Sequence, residues 1–532
     1  MLLDYRTENL TRPARRWPWL ALIALLIAIR LPSLVQPAGG DQSLYAYAGQ
    51  RILAGDVMYR DVWDQKPPGI EFTYALLDAV WPHQSVVPGT DLLIAIATAA
   101  LLIAIGRRRY TADVGYGAAA VFLLFGDPYL QRMSGVYVRA QCEPFVALAV
   151  AAGLAILAAR TRTRVHLVVA GVTLALAFWL KYAAMYALPA LVAVWVWSPD
   201  SGRDRREFTG DVIWLGIGFF VACAIVLAYF AVNGALTDLR LATIDYNLRY
   251  SQETYDGPAG ILRYLLTFPL ARARVDMLWF LGGIGTLLLV SDARARRSSA
   301  VALSWLVAAV FSIAINGARD LPNYFVQAAP ALALVAATGL SSLPTRRTWV
   351  RFAIAALLVA GIWRVGSDAP VGGFRFASLP GLVDNVRHDL AYARGRIDRE
   401  TYLLRFQGQK HFPLENERLA QYVRDTSAPG DPIYVFGFSG GAVCWLSGRQ
   451  SSSRFFWSRP VLIEFGANRP GYGSQGLLRD LQRVPPTIVA LQKDEWRSRG
   501  FFLGNDRLRR WLEEGYRLDH DTPMFSVWRR RS

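Results

Sequence analysis

The stretch that decides the fold is residues 17–69, which read WPWLALIALLIAIRLPSLVQPAGGDQSLYAYAGQRILAGDVMYRDVWDQKPPG. It begins with an apolar run, residues 17–35, that is long enough to cross the roughly 30 Å hydrocarbon core of a bilayer as one helix. A polar and aromatic segment follows at once, and it carries Asp41 and, before two prolines, Lys66. The stretch therefore predicts a membrane span that leads into a loop able to carry chemistry.

Similar apolar runs recur up to about residue 366. The chain has 532 residues, of which 53% are hydrophobic and 19% are charged, so a disordered chain, a coiled coil and a small disulfide scaffold are excluded. A buried soluble helix is the alternative for any one run, but not for all of them together. We predict about eleven spans, at residues 17–35, 87–105, 112–125, 142–159, 165–180, 182–197, 212–232, 275–290, 300–315, 324–340 and 349–365.

The formal net charge of +17 would suggest a nucleic-acid partner in a soluble protein. The clustered arginines are Arg12, Arg15 and Arg16; Arg107–Arg109; Arg160, Arg162 and Arg164; Arg203, Arg205 and Arg206; Arg294, Arg296 and Arg297; and Arg346, Arg347 and Arg351. All clusters fall on one side if the spans alternate from a cytoplasmic N-terminus, as the positive-inside bias requires. We therefore expect no nucleic-acid partner, and we expect residues 36–86, 233–274 and 367–532 to lie outside the cytoplasm.

The first apolar run is followed by Arg30-Leu31-Pro32 and not by a small-residue cleavage site. It is therefore predicted to be a retained anchor in a multi-pass protein of the plasma (inner) membrane.

The first outer loop is predicted to contain two helices. Asp41 or Ser43 can cap the first one, and Gly55 can end it. Leu44, Ala48 and Ile52 recur at i, i+4 and i+8, which is typical of an amphipathic helix lying along the membrane interface. A second short helix is predicted after Pro68.

Asp41 and Lys66 are the leading functional candidates in this loop. A carboxylate close to lipid is costly, so Asp41 is a functional candidate, with a simple helix cap as the alternative. Pro67 and Pro68 stiffen the backbone after Lys66 and bias that residue to an extended form. A rigidly presented ammonium suits a phosphate group, and the alternative is contact with lipid headgroups.

With these residues the chain resembles the GT-C glycosyltransferases that use polyprenyl-phosphate sugars, above all the lipid A aminoarabinose transferases and the protein O-mannosyltransferases. The resemblance spans roughly residues 17–366 and is sharpest from Asp41 to Gly69, where Asp41, Tyr45 and Lys66-Pro67-Pro68 match. The weaker matches are Glu143 after Arg139, Lys181 between two spans, and Asn323-Tyr324-Phe325. The resemblance implies a mainly α, polytopic membrane bundle over residues 1–366.

The resemblance also implies an inverting transfer of a sugar from a polyprenyl-phosphate donor to a hydroxyl acceptor (lipid, glycan or protein) at the outer face. Asp41 would accept the proton of the attacking hydroxyl. Lys66 would stabilise the leaving phosphate, helped by Arg319, Lys181 or Arg139. A pairing of Lys181 with Glu143, and of Arg319 with Asp320, is the structural alternative. The supporting candidates are Gln42, Tyr45, Tyr59, Asp61, Asp64, Glu143 and Tyr324.

Two positions depart from the family pattern. The second member of the acidic pair is Gln42, and the residue before the lysine, which is often acidic and helps to hold a metal, is Gln65. Asp61 and Asp64 are the nearby carboxylates that would take the place of the missing acidic residue. A divalent metal therefore stays open as a cofactor, as do the identities of the sugar and the acceptor.

Residues 367–532 are predicted to form an extracytoplasmic α/β domain. Strands are predicted at 432–436 and 487–491, helices at 413–426, 477–483 and 506–514, and a terminal hairpin at 516–520 and 525–529. Gly437-Phe438-Ser439-Gly440-Gly441 also fits the elbow of a serine hydrolase, with Asp494 or Asp506 and His520 as the other triad members, although any tight turn needs such small residues.

A flippase or transporter of lipid-linked glycans is the alternative function. Many spans together with Lys181 and Glu143 motivate it, whereas the concentration of polar segments on one face and the lack of inverted repeats favour a transferase.

Overall fold

The computed structural model describes residues 16–197, 205–252, 257–316, 321–343, 379–408, 411–493 and 497–531, with a few positions between 349 and 359. Its first part is almost entirely helical. In chain order the helices are α1 (Trp17–Arg30), α2 (Gly40–Leu53), α3 (Gly69–Val80), α4 (Val86–Arg109), α5 (Ala112–Phe125), α6 (Cys142–Leu157), α7 (Arg164–Lys181), α8 (Ala187–Val196), α9 (Arg205–Val232), α10 (Leu236–Arg240), α11 (Tyr246–Gln252), α12 (Gly257–Ala273), α13 (Met277–Ser291), α14 (Ala293–Ser298), α15 (Ala300–Asn316), α16 (Pro322–Val326) and α17 (Ala329–Ser341).

The described residues contain four helices that are long and apolar enough to cross a membrane: α1 with the turn after it, α4, α7 and α9. A fifth candidate is the pair α12 and α13, which is bent by 109° at the break between its helices. Shorter apolar helices, α5, α6, α8, α15 and α17, have 10–17 residues. The chain is thus a multi-pass membrane protein, but the predicted count of eleven spans is not confirmed, and most of the window 349–365 lies outside the described residues.

Glycines allow the membrane helices α7 and α9 to approach closely. A Cβ at Gly171 of α7 would lie 2.0 Å from the carbonyl oxygen of Leu215, and one at Gly218 of α9 would lie 2.0 Å from that of Val168. Small residues are favoured at such contacts in lipid, because van der Waals packing replaces the hydrophobic effect between helices there.

The segment 233–274, predicted as an outer loop, is mostly helical. It contains α10, α11 and α12, and a π-helical turn, Leu241–Asp245, joins the first two. Asn247 of this segment donates a 2.8 Å hydrogen bond to the carbonyl oxygen of Gln65, so the segment helps to fix the loop that carries Lys66.

The C-terminal part combines helices with a four-stranded sheet of order β1-β2-β4-β3. Strands β1 and β2 pair in parallel, whereas β2–β4 and β3–β4 are antiparallel. Both strands and the terminal hairpin lie at the predicted positions. The elements are α18 (Leu379–Ala393), α19 (Arg399–Leu404), α20 (Pro413–Thr426), β1 (Ile433–Phe436), α21 (Gly440–Ser447), α22 (Arg459–Leu462), α23 (Gly473–Arg483), β2 (Ile488–Gln492), α24 (Ser498–Gly504), α25 (Asp506–Gly515), β3 (Tyr516–Asp521) and β4 (Phe525–Arg530).

The C-terminal part shares one hydrophobic core with the helical part. The hydroxyl of Tyr47 accepts a 2.7 Å hydrogen bond from the backbone N–H of Ser451, and the backbone N–H of Trp63 donates to the carbonyl oxygen of Arg454 at 3.0 Å. A buried carboxylate, Asp389 of α18, accepts from Gln36 and Tyr129 at 2.7 and 2.5 Å. Contacts with the C-terminal part of the chain therefore help to fix the first outer loop in place.

Helix α2 is confirmed, but it is enclosed by protein and does not present an exposed polar face. Residues 42–49 are buried without a break, on the polar side as well as the apolar side. A Cβ at Gly49 would lie 2.7 Å from the backbone nitrogen of Ala75 in α3, and one at Gly441 in α21 would lie 3.0 Å from Leu44 Cα. Because α3 and α21 enclose it, α2 is an interior helix.

The glycines around Ser439 are explained by packing. A Cβ at Gly440 would lie 2.0 Å from the carbonyl oxygen of Phe456. Ser439 is buried, and its backbone N–H donates to Gln492 at 3.0 Å, whereas His520 is exposed and stacks on Tyr422. This arrangement favours the tight-turn interpretation over a hydrolase elbow; Asp494 lies outside the described residues.

We expect Gly441→Leu to weaken the contact between α21 and α2. Overpacking a tight interior site costs about 1–3 kcal/mol, and here the neighbours include backbone atoms of Leu44 as well as its side chain. Thermal unfolding of the purified protein in detergent measures the loss. The matched control is Gly430→Leu, because a Cβ at Gly430 meets nothing within 4 Å; equal melting temperatures for the two variants would contradict the tight contact.

Candidate functional site

Asp41 lies in the first turn of α2, at the outer end of the first span. Gly39 is the N-cap of this helix, its backbone is extended, and no side chain caps the helix. The cap role that was the alternative for Asp41 is therefore not realised. The side chain of Asp41 is half-buried.

Gln141 contacts Asp41 directly. Its amide Nε2 lies 3.2 Å from Asp41 Oδ2, and its Oε1 accepts a hydrogen bond from the hydroxyl of Tyr45 at 3.1 Å. Tyr45 is fully buried one helical turn after Asp41, so it reaches Asp41 through this amide. The loop between α5 and α6 thus belongs to the site.

Gln42 and Arg139 bind that loop to α2. Gln42 donates from Nε2 to the carbonyl oxygens of Val136 and Arg139 at 2.9 and 2.6 Å. The side chain of Arg139 is buried; it lies 3.5 Å from Asp91 and donates to Ser33 Oγ at 3.1 Å. These contacts favour a structural role for Arg139 over contact with a substrate phosphate.

Lys66 stands on a rigid turn. Tyr59, with a left-handed φ of +70°, donates its hydroxyl to the carbonyl oxygen of Lys66 at 2.8 Å, and α3 begins directly after Pro68. Lys66 is half-buried and forms no ion pair with any residue that the structure describes. Burial opposes its charge, but the neighbouring Tyr324, Cys142, Asp41 and Glu143 raise the pKa of Lys66 well above its usual value, so the ammonium stays charged.

Asp61 belongs to the turn and not to the site. It is partly exposed, pairs with Arg60 at 2.9 Å, and accepts the backbone N–H of Val57 at 2.9 Å. Burial opposes its charge, but the bonds from Arg60 and Val57 outweigh it, so the pKa of Asp61 is lowered.

Asp64 and Glu71 form a buried acidic pair beside Lys66. Burial raises the pKa of Asp64 to about 6, and burial together with the charge of Asp64 raises the pKa of Glu71 well above its usual value. Two buried carboxyl groups in contact cannot both ionise at low cost, so the ionised form of Asp64 favours the protonated form of Glu71.

The described residues do not form a ligand set for the divalent metal that the resemblance left open. Within the described part of the chain, no group of three or more His, Cys, Asp or Glu side chains is arranged to hold an ion. Asp64 has Glu71 as its acidic partner, and Asp61 is engaged with Arg60 and the backbone.

A second cation lies at the end of α7. Lys181 forms a buried ion pair with Glu143 of α6, and its Nζ lies 4.1 Å from the ring centroid of Tyr324. Asn323 Nδ2 lies 3.5 Å from the same carboxylate. The pairing that was the alternative for Lys181 is present, and Tyr324 joins this pair to Lys66. Arg319 and Asp320 lie outside the described residues.

Two residues of this region were missed by the sequence analysis, Gln141 and Glu71. Gln141 stands just before a span and Glu71 inside a predicted helix, so neither has a local signal of its own. The one hint for Glu71 is its position, since it follows Lys66 by only five residues.

Comparison with known proteins supports the fold. No family model and no curated protein matches the sequence. Among solved structures, ArnT from Cupriavidus metallidurans bound to undecaprenyl phosphate has a TM-score of 0.57 at 15% identity, covering 97% of this chain and 98% of that one; its apo state has a TM-score of 0.60 at 14% identity, covering 96% and 98%. The archaeal oligosaccharyltransferase AglB from Archaeoglobus fulgidus, in complex with an inhibitory peptide and a dolichol-phosphate, has a TM-score of 0.50 at 12% identity, covering 97% and 74%. The GT-C-like fold implied by the sequence is confirmed.

We expect Glu143→Ala to be strongly destabilising, because it leaves the Lys181 ammonium buried without its carboxylate. Breaking a buried pair from one side costs about 3–5 kcal/mol. Thermal unfolding in detergent measures the loss, and the double variant Glu143→Gln/Lys181→Met should recover much of it. The control is Glu417→Ala, which breaks the half-exposed pair with Arg399 and should cost about 1 kcal/mol or less. Similar losses in both single variants would contradict the burial argument.

Asp64 predicts a pH dependence of stability. Since its pKa is raised from 3.8 to about 6 in the fold, its contribution is fully present below about pH 4 and is lost as the pH rises through about 6. Asn cannot ionise, so Asp64→Asn should gain stability relative to wild type between pH 5 and pH 7, on the order of 1–2 kcal/mol.

Melting temperatures of Asp64→Asn and wild type across pH 5–7 measure this gain. Asp61→Asn serves as the control: its pKa is lowered, so any loss falls at acid pH and no gain is expected in this window. A constant difference between Asp64→Asn and wild type would contradict the assignment.

Proposed function

We propose that this protein is an inverting membrane glycosyltransferase that moves a sugar from a polyprenyl-phosphate donor to a hydroxyl acceptor at the outer face of the membrane. One observation carries the proposal: a half-buried carboxylate, Asp41, and a rigidly held ammonium, Lys66, share one electrostatic environment at the end of the first span. The GT-C-like fold supports it, since ArnT was solved with undecaprenyl phosphate and AglB with a dolichol-phosphate.

Asp41 acts as the general base. As the acceptor oxygen attacks the anomeric carbon, Asp41 takes the hydroxyl proton, and a new carbon–oxygen bond forms on the face opposite the phosphate. The bond between the anomeric carbon and the phosphate oxygen breaks, and the polyprenyl phosphate leaves with that electron pair. A single displacement of this kind inverts the anomeric configuration.

Lys66 stabilises the departing phosphate. The leaving group gains negative charge as its bond to the sugar breaks, so a fixed cation lowers the energy of the transition state more than that of the ground state. The charge of Lys181 is already compensated by Glu143, and Arg139 is occupied by Asp91. Lys66 is therefore the principal phosphate ligand, with Tyr324 beside it.

The orientation follows from the arginine pattern. The N-terminus is cytoplasmic, and the helix carrying Asp41, the turn carrying Lys66 and the C-terminal part face the other side of the plasma membrane. A flippase is less well supported, because Lys181 and Glu143, the residues that motivated it, bind each other.

The test compares envelope glycans and glycoproteins of a deletion strain by mass spectrometry after complementation with wild type, Asp41→Asn or Lys66→Met. A product lost in the deletion strain identifies the sugar. We expect Asp41→Asn to lower its formation by about 10²–10⁴-fold, the usual contribution of a general base. Lys66→Met should weaken binding of undecaprenyl phosphate, used as a probe with the purified protein, by at least tenfold.

The control is Asp113→Asn, another aspartate in the first turn of an apolar helix but exposed and outside the proposed site. It should restore the product fully. Unchanged glycans in the deletion strain would argue against glycosyl transfer. Full activity of Asp41→Asn would show that Asp41 is not the general base.

A further inference from the structure

The amide of Gln141 is held in one orientation by three partners. Its Nε2 donates to the carbonyl oxygen of Tyr137 at 3.1 Å and to Asp41 Oδ2 at 3.2 Å, and its Oε1 accepts from the Tyr45 hydroxyl at 3.1 Å. A backbone carbonyl only accepts hydrogen bonds, so the nitrogen must face Tyr137, and an N–H is thereby directed at Asp41. Gln141 is 2% exposed, so water does not compete for these bonds.

The loop before Gln141 has an unusual backbone. Met133, Ser134 and Ala140 have left-handed φ values of 56°, 53° and 44°, although none of them is glycine. Such conformations persist only where the surroundings impose them, and they concentrate at functional sites. The strain lies directly next to Gln141, because Ala140 precedes it.

Buried hydrogen bonds hold Ala140 in this conformation. Its backbone N–H donates to Asp91 Oδ1 at 3.2 Å, and its carbonyl oxygen accepts from the Tyr74 hydroxyl at 3.0 Å. Gln42 binds the carbonyl oxygens on either side of this stretch, those of Val136 and Arg139. Helices α2, α3 and α4 thus fix together the position from which the side chain of Gln141 extends to Asp41.

An amide suits this position chemically. A carboxylate that abstracts a proton needs one oxygen directed at the acceptor, and a donor fixed on the other oxygen orients the group. A carboxyl side chain at position 141 would compete for the same proton, and the two groups would titrate as a pair with one pKa raised. The uncharged amide orients Asp41 without that competition.

We propose that Gln141 is a positioning residue: its amide N–H orients the carboxylate of Asp41 for proton abstraction and, being uncharged, adds no competing carboxylate at position 141. This role rests on the proposed function, since it concerns the same base. It assigns a task to the loop between α5 and α6 and to its strained backbone.

The experiment measures initial rates against pH in membranes that contain wild type, Asp41→Asn, Gln141→Ala, Gln141→Glu or Gln36→Ala. The donors are radiolabelled undecaprenyl-phosphate monosaccharides, supplied as a panel with membranes of the deletion strain as the source of acceptor. Gln36 is the matched control, because it is a buried glutamine whose 2.7 Å hydrogen bond goes to Asp389 and not to Asp41. Binding of undecaprenyl phosphate shows that each variant is folded.

We expect Gln141→Ala to lower kcat by about 10–100-fold, with less than a threefold change in the KM for the donor, because orientation and not donor binding is lost. Gln141→Glu should shift the acid limb of the plot of kcat/KM against pH to higher pH by at least about one unit, because a second carboxylate raises the pKa of the base. Gln36→Ala should retain the wild-type profile.

Two results would overturn the role of Gln141: a kcat for Gln141→Ala within twofold of wild type, or a pH profile of Gln141→Glu that superimposes on the wild-type profile. If either occurs while Asp41→Asn is inactive, the positioning role fails and the proposed function stands. Full activity of Asp41→Asn would instead overturn the proposed function itself, and this proposal with it.

Discussion

The enclosure of helix α2 is the constraint on which the site depends. This helix carries Asp41, Gln42 and Tyr45, and it is polar, yet it is buried over residues 42–49. It can be buried because Gly49 lets α3 approach on one side and Gly441 lets α21 approach on another. Its polar side chains then find partners inside the protein, which fixes their directions in a way that solvent exposure would not.

Charge compensation is the second organising feature. Arg30 lies 3.6 Å from Asp127, Arg139 lies 3.5 Å from Asp91, and Lys181 pairs with Glu143, so the deeply buried cations of this region have carboxylate partners. A buried charge without a partner is expensive, and these pairs avoid that cost. Lys66 differs, since within the described residues it has acidic neighbours but no ion pair. That difference is the reason why we propose Lys66, and not the paired cations, as the ligand of a phosphate from outside the chain.

Local patterns predicted much of the architecture correctly. Apolar runs give helices at the predicted windows within the described residues, and the C-terminal strands and hairpin lie where alternation and turn residues indicated. Where the sequence-based predictions differ from the structure, they differ in what packs around a helix and not in where the helix lies in the sequence. The pattern of Leu44, Ala48 and Ile52 indicated an amphipathic helix with one buried side, because one sequence cannot reveal that α21, some 400 residues later, also packs against α2.

The sequence by itself determined that this is a multi-pass helical protein with a GT-C-like fold, because hydrophobic runs, arginine clusters and the Asp41 to Gly69 segment are local signals. It also singled out Asp41 and Lys66, since a carboxylate at a span end and a lysine before two prolines are unusual in isolation. Only the tertiary structure decided which other groups reach them. Gln141 and the C-terminal elements make contacts between distant segments, and the directions of their hydrogen bonds are set by packing that no local pattern encodes.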